Sequence, residues 1–507
     1  MKISHPLDIE NQLGVHCVKI YNGPQPSFSR KAISTLTNGQ WQELCNRILL
    51  VPTDPPSLGR LDKIVDINYE PGTFLLSERA EQPAFLYEDE RKGGLEGLVC
   101  QVVMEDLARL DTYAALDCTM PAFQRRISEE VFGILTHATE QVPSLASLIW
   151  NQEYSDIIRR IEMLVLTGDP DFDVHIYADV NRFAKQVCLS AIQQIEARRD
   201  IGIQELCRFS VSAGLVGLNT KSPIEATSHF DKQCAIPLLI ETSVRDNATH
   251  ILDSLLTLAR RRHHIDETEE LLIEVCDRAG HGPVSIAVFT DDYIETLFLL
   301  KFYEALMNEY KNLFVCLIPK SRHCGNDATY LDITEALAAP KFYRLKYYQD
   351  QGRFMLRSDG PCLGGLNLFK LPITLLQDLM TTDLLDIRGC RAFEMSQGLN
   401  KPTFFSFNVC REISESLTGL DGESQHMVLV RQNPGDKSFC GFRERHRRTL
   451  STPSGRQYMV APFTVQDYLC AREERRGKNG ELGKGEFFTS PSRRGNKKGN
   501  REIGDEK

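Results

Sequence analysis

The sequence predicts an α/β protein, with a helical N-terminal region joined to a three-layer α/β/α, Rossmann-like domain built on a mostly parallel sheet. Between about 120 and 280 apolar residues recur at three-to-four spacing, the signature of amphipathic helices. After Gly280 short β-branched or aromatic runs alternate with helix-like segments, the grammar of a parallel sheet with helices on its faces. No stretch approaches the ~18 uninterrupted apolar residues of a membrane span. The best, ETLFLLKFYEALM, is broken by Lys301 and Glu304.

Residues 1–115 have scattered prolines (Pro52, Pro55, Pro56, Pro71) and short apolar runs, predicting short elements and no assignable function. A helical region, 116–280, follows, with helices expected over 125–142, 151–166, 178–199, 250–262 and 267–280; Gly280 is the expected C-cap of the last. In the α/β domain, 281–465, strands are expected at 283–289, 312–318, 383–387, 402–407 and 426–430. Residues 466–507, rich in Gly, Lys and Arg, read as a disordered charged tail. The RRRHHIDE run at 260–267 reads as a solvated helix end, and Trp41 and Trp150 as packing residues.

With 507 residues the chain is long enough to enclose a site, and its net charge of −10 gives no global attraction to nucleic acid or an anionic membrane. Neither is expected as a partner. The 15 cysteines, spread from Cys17 to Cys470 without a CxxC pair, fit free thiols in a reducing, cytoplasmic setting. The first residues lack the apolar core of a signal peptide.

Three junctions carry the candidate chemistry. The first strand runs into Asp291 and Asp292, with Glu295 at the opening of a helix. Ligands of open α/β sheets bind at the carboxyl ends of strands, and paired carboxylates there suit a divalent cation. Thr290 or Asp291 is equally a natural N-cap. The second strand leads to Asn326, Asp327, Thr329 and Asp332, so carboxylates of neighbouring strand ends can converge on one metal, or form an Asx-capped, solvated turn. At the third, Arg388-Gly389 pairs a guanidinium with a backbone able to approach phosphate, or is a surface Arg beside a turn glycine, and Phe393-Glu394 opens a short helix. Gly360, Gly364 and Gly365 line a pocket or form a plain loop.

The order of these motifs resembles the damage-control metal-dependent phosphatases, catalogued as domain of unknown function eighty-nine, which include the acidic-residue methyltransferase-like proteins. Asp291-Asp292-Tyr293-Ile294-Glu295 stands where that family has Asp-Asn-x-Gly-Glu. Asn326-Asp327-Ala328-Thr329-Tyr330-Leu331-Asp332 reproduces its Asn/Ser-Asp-Ala-Thr-x-x-Asp. The segment from Asp383 to Glu394 is similar to its Asp-Leu-x-x-x-Lys-Gly-x-x-Asn-Tyr/Phe-Glu, and Lys401-Pro402 through Cys410 echoes its Lys-Pro, strand and Cys. The likeness covers about 280–422. Asp292, Ile294, Arg388, Ala392 and Val409 depart from the family's Asn, Gly, Lys, Asn and Lys.

The resemblance implies a divalent-metal-dependent phosphomonoester hydrolase acting on small phosphorylated metabolites, such as sugar phosphates or damaged cofactor-related phosphates. Asp291, Asp292 and Asp327 would be ligands of manganese, nickel, cobalt or magnesium, with Asp291, Glu295 and Asp327 the catalytic set. Arg388 would anchor phosphate and Glu394 support the substrate. Asp332 would buttress the Asp327 turn, and Cys410 is read as core. The rival reading is a binding or regulatory protein that keeps the fold without activity, as the substituted positions suggest. Methyl transfer ranks below both, because no Gly-rich nucleotide loop follows an early strand.

Overall fold

The computed structural model describes residues 28–49, 75–77, 99–100, 102–104, 107, 121–141, 153–171, 173–198, 200–219, 248–258, 265–360, 364–396, 399–409, 427–432, 448–451 and 457–460. The expected tail, Trp150 and Cys410 lie outside these residues.

The molecule is α/β, as the alternation of apolar runs predicts. A seven-stranded sheet has the order β2-β8-β7-β6-β3-β4-β5, with β2 at Ile265–Asp266, β3 at Val284–Phe289, β4 at Leu313–Ile318, β5 at Phe354–Leu356, β6 at Leu384–Arg388, β7 at Thr403–Asn408 and β8 at Met427–Gln432. Strands β3 to β7 run parallel, and β8 is antiparallel to β7. A separate antiparallel sheet joins β1 (Leu75–Ser77), β10 (Gln457–Val460) and β9 (Arg448–Ser451) in that order.

All five expected strands form. The central ones are almost wholly buried, which explains why they read as continuous apolar runs rather than alternating patterns. From β3 the chain steps one way to β4 and β5 and later returns to the other side as β6 and β7. The crevice between β3 and β6 is therefore the topological switch point, where open α/β sheets bind ligands.

Long helices cover the sheet. Tyr293–Glu309, the crossover from β3 to β4, is apolar nearly all round and buried between the sheet and the helices Asp173–Glu196 and Ile203–Asn219. These share one core with the Thr268–His281 helix and with β3, β4 and β5. A second core joins Arg30–Ile33 and Asn38–Leu49 to Pro121–Gln141 and Tyr154–Thr167. Apolar contacts thus run across both expected boundaries, 115/116 and 280/281. Trp41 packs beside this core, its ring centroid 5.0 Å from that of His137.

Three local expectations change. The last helix before β3 runs to His281, and Gly282, not Gly280, is its C-cap, its N–H bonded to the Arg278 carbonyl. The end of RRRHHIDE is not a solvated helix terminus: Ile265–Asp266 is an edge strand, and Asp266 accepts a bond from Arg208 Nε at 2.9 Å. The helix Ile203–Asn219 and the strand β5 have no counterpart in the sequence reading.

Candidate active site

The segments that follow β3 and β4, beside the switch point, are laced together by backbone before any side chain is considered. The Tyr293 N–H bonds the Asn326 carbonyl at 2.9 Å, and the Ala328 N–H bonds the Asp291 carbonyl at 2.7 Å. Asp292 and Asp327 thereby face each other across an isolated antiparallel bridge. Beyond, the Thr329 hydroxyl accepts from the Asp332 N–H while the Asp332 carboxylate accepts from the Thr329 N–H. This capping box fixes the second junction, and Asn181 Nδ2 adds a 2.9 Å bond to Asp332. Asp332 holds the Asp327 turn, as expected.

Asp292 is the N-cap of the Tyr293–Glu309 helix, its Oδ1 accepting from the Glu295 N–H at 3.0 Å and its Oδ2 from Asn326 Nδ2. The cap is therefore Asp292, not Thr290 or Asp291. Asp291 sits against Gly389, which opens the turn after β6 at φ +95°; a Cβ there would overlap the Asp291 carboxyl. Gly389 is thus required both by its left-handed backbone and by the space Asp291 takes.

Electrostatics mark the cluster. Burial raises Asp292 to about 7, with Asp291 adding repulsion against the hydrogen bonds that favour its charge. Asp327 is pushed well above the carboxylate range by burial and by Asp291, against the pull of Lys320 and Arg391. Glu295, 4% exposed, is raised likewise by burial and by Asp291, Asp292 and Asp386, with only Arg388 opposing. Among the described residues, Glu295 Oε1, Asn408 Oδ1 and Thr290 Oγ1 are buried without a hydrogen-bond partner. Glu295 and Asn408 meet where Gly214 of the Ile203–Asn219 helix leaves room, since a Cβ there would lie 2.9 Å from Glu295 Oε2 and 2.8 Å from Asn408 Nδ2.

Among the described residues no three His, Cys, Asp or Glu side chains are grouped to hold a metal ion. The arrangement offers two carboxylates, Asp291 and Asp327, with a third, Asp292, engaged by its capping bonds. Mutually repelling carboxyls and buried oxygens without donors fit a hard cation of the kind bound through one or two carboxylates, water and substrate oxygens.

Arg388 is placed differently from the expectation. Its side chain is fully buried and grips Asp386, Nε to Oδ1 at 2.9 Å and Nη2 to Oδ2 at 2.8 Å, while Nη1 donates to Ser210 and Ser406 hydroxyls at 3.0 and 3.1 Å. Tyr303 completes the group, donating to Asp386 Oδ2 at 2.6 Å. The guanidinium is spent on these partners and stands 3.6 Å from Glu295 Oε1. It is a buried buttress for Glu295, not the phosphate anchor that the resemblance implies. The signal was present: Asp386 and Arg388, two apart on a strand, share a face in an otherwise apolar run. Glu394 lies on the Cys390–Met395 helix, and its side chain is outside the described residues.

Two cations near Asp327 escape the sequence reading. Lys320 follows β4, 3.1 Å from Asp359 and bonded to the Gly365 carbonyl. Arg391 follows β6 and is paired with Asp156 of the Tyr154–Thr167 helix. Neither spacing nor local pattern links Asp156 to residue 391; only the fold does.

No protein-family model matches the sequence, and no curated protein matches it. Among solved structures the chain is similar to the crystal structure of a DUF89 family protein from Pyrococcus horikoshii, at 12% identity and a TM-score of 0.46, over 66% of this chain and 97% of that one. No helix among the described residues is long and apolar enough to cross a membrane.

Proposed function

We propose that this protein is a divalent-metal-dependent phosphatase of small phosphorylated metabolites, with its site at the carboxyl ends of β3 and β4. The observation that carries the reading is the approach of Asp291 and Asp327 beside the switch point, where the Ala328 N–H bonds the Asp291 carbonyl and burial and repulsion from Asp291 raise Asp327 despite Lys320 and Arg391. Asp291 and Asp327 would hold the cation, of which manganese, nickel, cobalt and magnesium are the candidates, and the bound ion would polarise a phosphoryl group and favour an attacking water. Asp292 fixes the helix start that orders both. Glu295, 3.6 Å from Arg388, is the carboxyl beside the pair that, in its ionised form, would take a proton from water.

One observation favours the rival reading, a binding or regulatory protein on the same fold: Arg388 is sequestered, so the phosphate anchor implied by the resemblance is lacking. The deciding experiment is hydrolysis of an aryl phosphate and a sugar-phosphate panel by metal-stripped protein with each metal restored, beside Asp291→Ala and Asp327→Ala. Metal-dependent turnover lost in both variants is the expected result. Absence of turnover together with absence of bound metal would select the binding protein.

A further inference from the structure

Beside Asp327 the structure contains an oxyanion nest. Asp156, 2% exposed in the first turn of its helix, places Oδ2 3.1 Å from the Gly364 N–H, which donates to it, and accepts a bond from Arg391 Nη1. Its Oδ1 lies 3.5 Å from Arg159 Nη1. A Cβ at Gly364 would meet the ends of the Arg391 and Asp156 side chains, so any side chain there would have to push them aside. Gly365, at φ +86°, turns its carbonyl to Lys320. The glycine pair therefore straddles the two cations that flank Asp327.

Guanidinium groups and a glycine N–H converging on two oxygens are the donor set that recognises a phosphoryl group. The neighbouring contact from the same helix region has another character. Glu153 and Lys370 are wholly buried, 2.9 Å apart, with Asn367 closing the group at 2.8 Å, a contact with no exposed member. The Asp156 contact instead adjoins Cys324, which is partly exposed and whose Sγ also meets the Gly364 N–H, and Arg159 keeps 24% of its side chain exposed. The nest borders solvent on one side and Asp327 on the other.

We propose that Arg391, Arg159 and the Gly364 N–H form the phosphoryl-binding subsite of this protein, and that Asp156 occupies it as an internal stand-in which an incoming phosphate displaces. That the anion is the phosphoryl group of a substrate rests on the phosphatase reading; that the nest takes an oxyanion does not. Arg391 thereby supplies the anchor that Arg388 does not.

The test uses inorganic phosphate and the full chain, with binding read by calorimetry and by thermal shift against chloride of equal ionic strength. Asp156→Asn keeps the shape of the occupant but removes its charge, weakening its hold on the nest, and is expected to tighten phosphate at least about tenfold, the scale of one charge-assisted hydrogen bond. Asp156→Asn combined with Arg391→Gln is expected to lose that gain. Should Asp156→Asn fold poorly by leaving Arg391 unpaired, refolding from urea reads the same property: recovery in phosphate but not in chloride supports the nest, and equal failure in both overturns it. Unchanged phosphate affinity in Asp156→Asn also overturns it. Phosphate binding without metal-dependent turnover would leave the nest standing and remove the phosphatase reading, whereas turnover without the Asp156→Asn gain would do the reverse.

Discussion

The two ends of β3 and β6 both gather ionisable side chains, yet only one end buries them among like charges. At the amino end an open groove is lined by Glu274, Asp277, Arg278, His281 and Asp383. There Arg278 and Arg431 pair with Glu274, His281 Nδ1 lies 2.6 Å from the Asp277 carbonyl, and Asp383 accepts from the Ser285 N–H and hydroxyl at 2.8 and 2.7 Å. At the carboxyl end Asp292, Glu295 and Asp327 are buried among like charges, and their carboxyls hold protons far more tightly than ordinary carboxylates. The lesson is that desolvation, not the number of charges, separates a site from a solvated groove.

The largest expected contrast is in turnover. Asp291→Ala or Asp327→Ala should lower metal-dependent phosphate release by about 10²–10³ or more, the scale of removing one group that stabilises transition-state charge. Asp383→Ala at the amino end should leave the rate within about twofold, and equal losses at both ends would break the comparison. Stability comes next. Arg388→Leu leaves the buried Asp386 without its cationic partner and should cost about 3–5 kcal/mol, whereas Arg278→Ala removes a partly exposed pair worth about 0–1 kcal/mol. Urea melts of the two variants test this directly.

A smaller contrast lies in two glycines. Gly389→Ala forces a left-handed backbone on alanine and drives a Cβ into Asp291, at about 1–3 kcal/mol, while Gly280→Ala in an uncrowded helical position should gain up to about 1 kcal/mol. The smallest effect is tied to pH. A carboxyl whose folded pKa is raised stabilises the fold at low pH and loses that contribution as pH climbs from the ordinary carboxylate range through the folded value, here about 7 for Asp292. Metal-stripped protein should therefore melt at lower temperature as pH rises through that window. Asp292→Asn, which keeps the cap, should recover a few degrees above pH 7 and none near pH 4. A melting temperature of Asp292→Asn that tracks the parent at every pH would show that Asp292 is not held under repulsion.

Much of the fold was legible because buried parallel strands must be continuously apolar, so β3, β4, β6, β7 and β8 stand out in the chain. The misses are equally physical. The helix Ile203–Asn219 is interrupted in sequence by Ser210, Ser212 and Gly214, and those small residues are present because Arg388, Met427 and Glu295 press on that face. Strand β5 has three residues and β2 two, too few for periodicity to register. Asp291, Asp292, Asp327 and Glu295 were readable as strand-end carboxylates, but partners that define their states, Arg388 at the end of β6, Arg391 after it and Asn326 across the bridge, are brought to them only by the fold.

What the sequence determined by itself was the alternation that makes a parallel sheet, the carboxylates at its strand ends and the glycine that follows Arg388. Those features are set locally, by side-chain period and backbone freedom. What only the tertiary structure decided was the role of each cation: that Arg388 turns inward to Asp386, that Lys320 meets Asp359, and that Asp156 reaches Arg391 from a helix 235 residues earlier in the chain. Charge pairing over such separations depends on which groups burial brings together, and local sequence carries no record of that.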